Sequence, residues 1–234
     1  MILYHMMWDL VYIFDFPVEW YRTTAGYIWQ QSICWTFILL SGFCFPLGRR
    51  KLRRGLFVFF SGLLVMAVTN IFVPEERVVF GVLTLLGSCM LLLIPLDSLF
   101  QMLSARQTSG FSMELTGLIV CMLFFLSFRN INMGYGGFEA LRTFEMPEAL
   151  YRDLFTTYLG FPYPEFFSTD YFSLIPWFFL FMAGYFLHGV IKKQNCLSML
   201  LKGSFYPIEW LGRHSIWIYL LHQPAIMLVL RLLF

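Results

Sequence analysis

Seven long apolar runs constrain this chain more than any motif does: residues 1–16, 27–47, 55–73, 79–100, 111–128, 171–190 and 213–234. A helix needs about twenty apolar residues to cross the hydrocarbon core of a bilayer. Within lipid, each backbone amide must be bonded inside its own helix or inside a closed barrel. None of the runs alternates with the period of two that a barrel strand requires, so all are predicted to be helices. Only 13% of the residues are charged, against 59% hydrophobic, where a soluble domain carries about 25% charged residues. The predicted architecture is an all-α polytopic membrane bundle of about seven transmembrane helices, forming a single domain over residues 1–234. The first run is short for a span and has neither a basic n-region nor a small-residue cleavage site. It reads as a short or truncated first helix, not as a signal peptide.

Basic residues suggest an orientation. The segment GRRKLRRG at 48–55 holds five of the sixteen lysines and arginines, which predicts a cytoplasmic location for it. Alternation then puts 101–110 and 191–212 on the same side, with Arg213 at that face, the N-terminus inside and the C-terminus outside. The segment 129–170 is too long for a plain connector and too aromatic for disorder. It is expected to be an extracytoplasmic lid, with an amphipathic helix over MPEALYRDLFTTYLG that starts near Pro147 and ends before Gly160. Cys34, Cys44, Cys89, Cys121 and Cys196 show no CxxC or secreted-type spacing and read as reduced apolar fillers. No metal and no nucleic-acid partner is expected, and the Phe-rich exterior allows a homodimer in the bilayer.

Ionisable groups at membrane depth are costly and default to functional candidates. In LYHMMWDL, His5 and Asp9 are four residues apart and so share a helix face. A carboxylate beside an imidazole fixes its tautomer and makes it a better base; the same pair would equally serve as a packing lock. In LGRHSIWIYLLHQP, Ser215, Tyr219 and His222 fall on one stripe with Gln223 beside it. Pro224 removes a backbone donor, so a kink and a free carbonyl at Leu220 are expected. Arg213 and His214 are placed to meet a phosphate, or to act as ordinary interfacial anchors. Ser168 or Asp170 is expected to cap the sixth span. Gln30, Gln31 and Ser32 would bond a sugar or a neighbouring helix, and Ser41-Gly42 would permit close helix approach. Asp97, Glu114 and His188 are read as solvated or anchoring groups. No Gly-rich phosphate loop, GxSxG elbow or HExxH motif is present, so ATP-driven, hydride and serine-hydrolase chemistry lose their usual warrant.

These segments, LYHMMWDL, FILLSGFCFPLGRRKLRRG, VVFGVLTLLGS, DYFSLIPWFFLFMAG and LGRHSIWIYLLHQP, occur in the order seen in one family. The chain resembles bacterial relatives of the heparan-alpha-glucosaminide N-acetyltransferase catalytic domain, within the wider transmembrane acyltransferases. That resemblance implies transfer of an acyl group, typically acetyl, from cytoplasmic acetyl-CoA to a sugar or glycan across a bacterial cytoplasmic membrane. It implies catalytic roles for His5 as base or acyl relay, for Asp9, His222 and Asp170, and acetyl-CoA contacts for Arg213, His214 and Gln223. The basic segment at 48–55 would add attraction for the cofactor's phosphates. Two features depart from the family pattern. An Arg-Gly pair usually precedes the first histidine, where this chain has four residues, and Thr84 stands where a histidine usually follows FG. A transporter or flippase, or a non-catalytic membrane subunit, would use the same buried polar groups.

Overall fold

The computed structural model describes residues 1–106, 112–194 and 205–234, with side chains up to residue 103 in the first stretch. Cys196, Lys202 and the side chain of Arg106 lie outside the described residues. Among the described residues, six helices are long and apolar enough to cross a membrane: Thr24–Leu47, Lys51–Phe72, Val82–Leu103, Met113–Met133, Leu174–Lys193 and Ser215–Leu233. They account for six of the seven runs. The first run yields only α1 (Ile2–Tyr12), about 16 Å long at 1.5 Å per residue. It stops because Asp15 takes the left-handed region at φ 53° and Pro17 cannot continue a helix.

The chain forms two compact units, one built from residues 1–37 and 198–234, the other from 38–197. The first contains α1, a 3-10 turn at Glu19–Arg22, the first part of α2 (Thr24–Phe43), α8 (Tyr206–Arg213) and α9 (Ser215–Leu233). Its packing is α1 along α9. Tyr4, Tyr21 and Trp29 close its aromatic side, with ring centroids 5.5 to 6.3 Å apart, and Arg22 donates to the carbonyl of Val11 at 3.2 Å.

The second unit holds the end of α2, α3 (Lys51–Phe72), α4 (Val82–Arg106), α5 (Met113–Ser127), the segment 129–170 and α7 (Leu174–Lys193). Its core is the α4 face of Val82, Leu85, Leu86, Cys89 and Leu93 against α3, with Phe125 of α5 and Leu180, Phe181 and Ala183 of α7. The end of α2 approaches α7 at backbone contact. A Cβ on Gly42 would lie 1.9 Å from the Phe181 carbonyl oxygen, and one on Gly184 would lie 2.0 Å from that of Leu39. Glycine at both points is what permits the approach, as expected for Ser41-Gly42.

The segment 129–170 differs from its sequence reading. It contains an antiparallel hairpin, β1 (Tyr135–Phe138) with β2 (Leu141–Glu145), that was not anticipated. The helix expected across 146–160 shrinks to α6 (Leu154–Leu159). Pro147 is extended at ψ 128° and leads only into a 3-10 turn at Glu148–Leu150. The helix then needs a new start, which Asp153 supplies by accepting from the Thr156 N–H at 2.8 Å. Gly160 ends it at φ 141°.

Candidate active site

The candidate site lies within the first unit, where α1 meets α9. The four-residue spacing of His5 and Asp9 points both side chains from α1 toward α9, whose Tyr219, His222 and Gln223 answer them. The His5 and His222 rings meet edge-on, with centroids 4.9 Å apart. Asp9 is fully buried, and both of its carboxylate oxygens accept from Nε2 of Gln223, at 2.8 and 3.0 Å. Gln223 is thus a partner of Asp9 that the sequence, which offered His5, did not suggest. Gln223, expected among the cofactor contacts, is packed with the acid and the two histidines.

His222 has a defined tautomer. Its Nδ1 lies in hydrogen-bond contact with the carbonyl oxygen of Tyr219. A carbonyl only accepts, so Nδ1 carries the hydrogen and Nε2 holds a lone pair. That Nε2 is buried and has no partner among the described residues, and Oε1 of Gln223 is in the same condition. Buried acceptors without donors are rare and costly. Two of them on adjacent residues beside a second imidazole make a place suited to a substrate O–H or N–H.

Arg213 and His214 stand at the break between α8 and α9, where His214 leaves helical geometry at φ −103° and ψ 8°. Arg213 makes a long ion pair with Glu209 at 3.4 Å and its side chain is 76% exposed, so the pair restrains it weakly. The His214 ring stacks on Trp210 with centroids 4.5 Å apart, and its Nδ1 is 2.8 Å from the Trp210 carbonyl oxygen. The helix α9 runs on through Pro224, and the missing N–H of that proline leaves the Leu220 carbonyl without its intrahelical donor. Gln31 and Ser32 bond within α2, to Trp35 and to the Trp29 carbonyl.

Asp170 belongs to the second unit. Its carboxylate accepts from the Val82 N–H, so it caps the start of α4 and not the sixth span as expected. Its Oδ2 lies 3.2 Å from where a Gly81 Cβ would stand. Burial pushes its carboxyl up to about 6, partly offset by the Val82 bond. Ser168 bonds Val79 in both directions, at 2.9 and 3.1 Å, and the N-cap of α7 is Ser173.

Two groups read as solvated or anchoring, Asp97 and His188, are held inside, while Glu114 is only partly buried. Asp97 is 7% exposed and accepts from Lys51 at 2.6 Å, Tyr185 at 2.6 Å and Gln101 at 3.1 Å. Glu114 bonds Ser112 and Lys193. His188 is buried, with its ring 5.1 Å from that of Phe43. Thr84, at the position where the family pattern has histidine, is buried with Oγ1 unpartnered among the described residues. Arg49, Arg50, Arg53 and Arg54 are exposed.

The family model described as Heparan-alpha-glucosaminide N-acetyltransferase, catalytic, matches residues 1–224. No curated protein and no solved structure matches the chain.

Proposed function

This chain belongs to the heparan-alpha-glucosaminide N-acetyltransferase catalytic family, and on that premise we propose that it moves an acyl group, acetyl in the family's pattern, from acyl-CoA to a sugar or glycan. The observation that carries the reading is Nε2 of His222, which has no partner among the described residues while Nδ1 faces the Tyr219 carbonyl, in a ring whose centroid lies 4.9 Å from that of His5. In a direct transfer, Nε2 of His222 accepts the proton of the acceptor hydroxyl or amine as that atom attacks the thioester carbon. The C–S bond breaks, the acyl group stays on the acceptor, and the proton passes to the departing thiolate. General-base assistance of this kind contributes about 10²–10⁴-fold in rate. His5 is the alternative first recipient of the acyl group. Asp9 and Gln223 fix the two helices on which these imidazoles sit, and Asp170 is assigned to capping α4.

Arg213 would hold donor phosphate, with the exposed arginines of 49–54 adding long-range attraction for a polyanion. The donor side would be cytoplasmic, following the basic residues of 48–55, with the N-terminus on that side of a bacterial cytoplasmic membrane and the C-terminus outside. The segment 129–170 would act as the lid on the acceptor side. The test is calorimetric titration of acetyl-CoA into purified protein, for wild type, Arg213→Ala and His5→Ala. Binding lost with Arg213 and kept with His5 is expected. Folded wild-type protein that binds no acetyl-CoA would refute the reading.

A further inference from the structure

The sequence of α8 (Tyr206–Arg213) divides that helix lengthwise into two faces. At about 100° per residue, Tyr206, Trp210, Pro207, Leu211 and Ile208 fall in that order across one arc of about 200°, and Gly212, Glu209 and Arg213 fill the rest. Both arcs are open. Tyr206, Ile208, Trp210 and Leu211 are 74, 67, 47 and 51% exposed, and the side chains of Arg213 and Glu209 are 76% and 44% exposed.

One residue, His214, separates α8 from α9 (Ser215–Leu233), which is long and apolar enough to cross the membrane by itself. The start of α9 therefore stands at the level of the lipid headgroups, and α8, about 12 Å long, begins its course there. Continued into hydrocarbon, α8 would bury Glu209 and Arg213, which lipid accepts only at high cost. Stood up into water, it would leave its whole apolar arc wet. Laid along the interface, it turns the apolar arc to the acyl chains and the charged arc to water, and both are satisfied. The apolar arc also continues a surface of the span itself. Trp210 lines one groove with Trp217 and Leu221 of α9, and those two side chains are 56% and 62% exposed. Tyr206, Trp210 and Trp217 are of the residue types that collect at headgroup level.

We infer that α8 lies in the headgroup region of the bilayer with its apolar arc in the acyl boundary, as the anchor that holds Arg213 and His214 at that depth. The partner is the lipid surface, held by apolar area, because Glu209 and Arg213 leave α8 without net charge. This goes beyond acyl transfer and holds for any chemistry at His222.

The test places nitroxide labels at Leu211→Cys, Ile208→Cys and Glu209→Cys in the full chain, reconstituted in phosphatidylethanolamine–phosphatidylglycerol liposomes, with the signal of the unsubstituted protein's own cysteines subtracted. All three positions are exposed, so a label displaces no core residue, and circular dichroism checks the fold. Power saturation reads the collisions of each label with oxygen, which concentrates in hydrocarbon, and with a water-soluble nickel chelate. The oxygen-to-nickel ratio is expected to be at least about threefold higher at 208 and 211 than at 209, for an arc sunk about 5–10 Å. Nickel-rich ratios at all three positions stand the helix in water and overturn the inference. Oxygen-rich ratios at all three put the whole helix in hydrocarbon and overturn it as well. Labels at 208 and 211 shielded from both reagents show protein on the apolar arc, a second copy or another part of this chain, and also overturn it.

Discussion

The bond between Gln223 and Asp9 is the feature most open to a quantitative test. Asp9 is fully buried on α1, and its two oxygens take the Gln223 Nε2 hydrogens at 2.8 and 3.0 Å. One amide nitrogen facing both oxygens amounts to a single charge-assisted contact with some sharing, worth about 1.5–3 kcal/mol. Gln223→Leu removes that donor and leaves a buried carboxylate less satisfied, so the single change should cost about 2–4 kcal/mol. Asp9→Leu should be similarly damaging, because it leaves the Gln223 amide buried without its acceptor. The double variant removes both polar ends together and should be less damaging than the sum. A double-mutant cycle by thermal unfolding in detergent should therefore give a coupling of about 1.5–3 kcal/mol. Coupling below about 0.5 kcal/mol, with all four proteins folded, would show that the contact does not join α1 to α9, and the case for a preorganised His5–His222 pair would fall with it.

His222→Gln should lower acyl transfer by about 10²–10⁴-fold while leaving thioester affinity within a few fold, read from initial rates and calorimetry together; an unchanged rate would remove His222 from the chemistry. Asp97→Ala strips Lys51, Tyr185 and Gln101 of their shared acceptor and should cost about 3 kcal/mol; a loss under 1 kcal/mol in denaturant titration would contradict the buried cluster. Asp170 has its folded-state carboxyl raised from 3.8 to about 6, so the native state binds the proton more tightly than the unfolded chain. Its contribution is present below about pH 4 and is lost as pH rises through about 6, amounting to up to about 3 kcal/mol. Asp170→Asn keeps an acceptor for the Val82 N–H, so the variant should flatten that slope and be the more stable protein at pH 7.

The spans were legible because hydrophobic length is a local property, and lipid leaves the backbone only one economical way to satisfy itself. The failures have equally local causes. The hairpin turns at Glu139 and Ala140, with Glu139 at φ 51°, where glycine, asparagine or aspartate would have announced the turn. The helix expected after Pro147 was read from amphipathic spacing alone, and that spacing says nothing of the extended Asp153 that restarts it. Asp97 was misread because its partners are 46 and 88 residues away, Lys51 and Tyr185. A charge near the end of an apolar run looks solvated until the opposing helix is known.

The site was legible in membership but not in connection. His5, Asp9, His222 and Gln223 stand out as polar groups in oily helices, and the four-residue spacing puts His5 and Asp9 on one face of α1. Spacing pairs residues only within a helix, however, so it offered Asp9 to His5, four residues away, and could not offer Gln223, 214 residues away. The same limit hid the tautomer of His222. Its lock is the carbonyl of Tyr219, a backbone atom that every residue carries and no sequence pattern marks. That carbonyl lies one residue before Leu220, whose own carbonyl Pro224 deprives of its donor. The proline therefore loosens the α9 backbone directly beside the group that fixes the imidazole. Pro224→Ala would restore the Leu220 bond and draw this turn toward regular helix. If the carbonyl lock depends on that freedom, the variant should lose transfer activity while gaining about 1 kcal/mol or more of helix stability. Higher stability with full activity would show that His222 holds its tautomer without help from the proline.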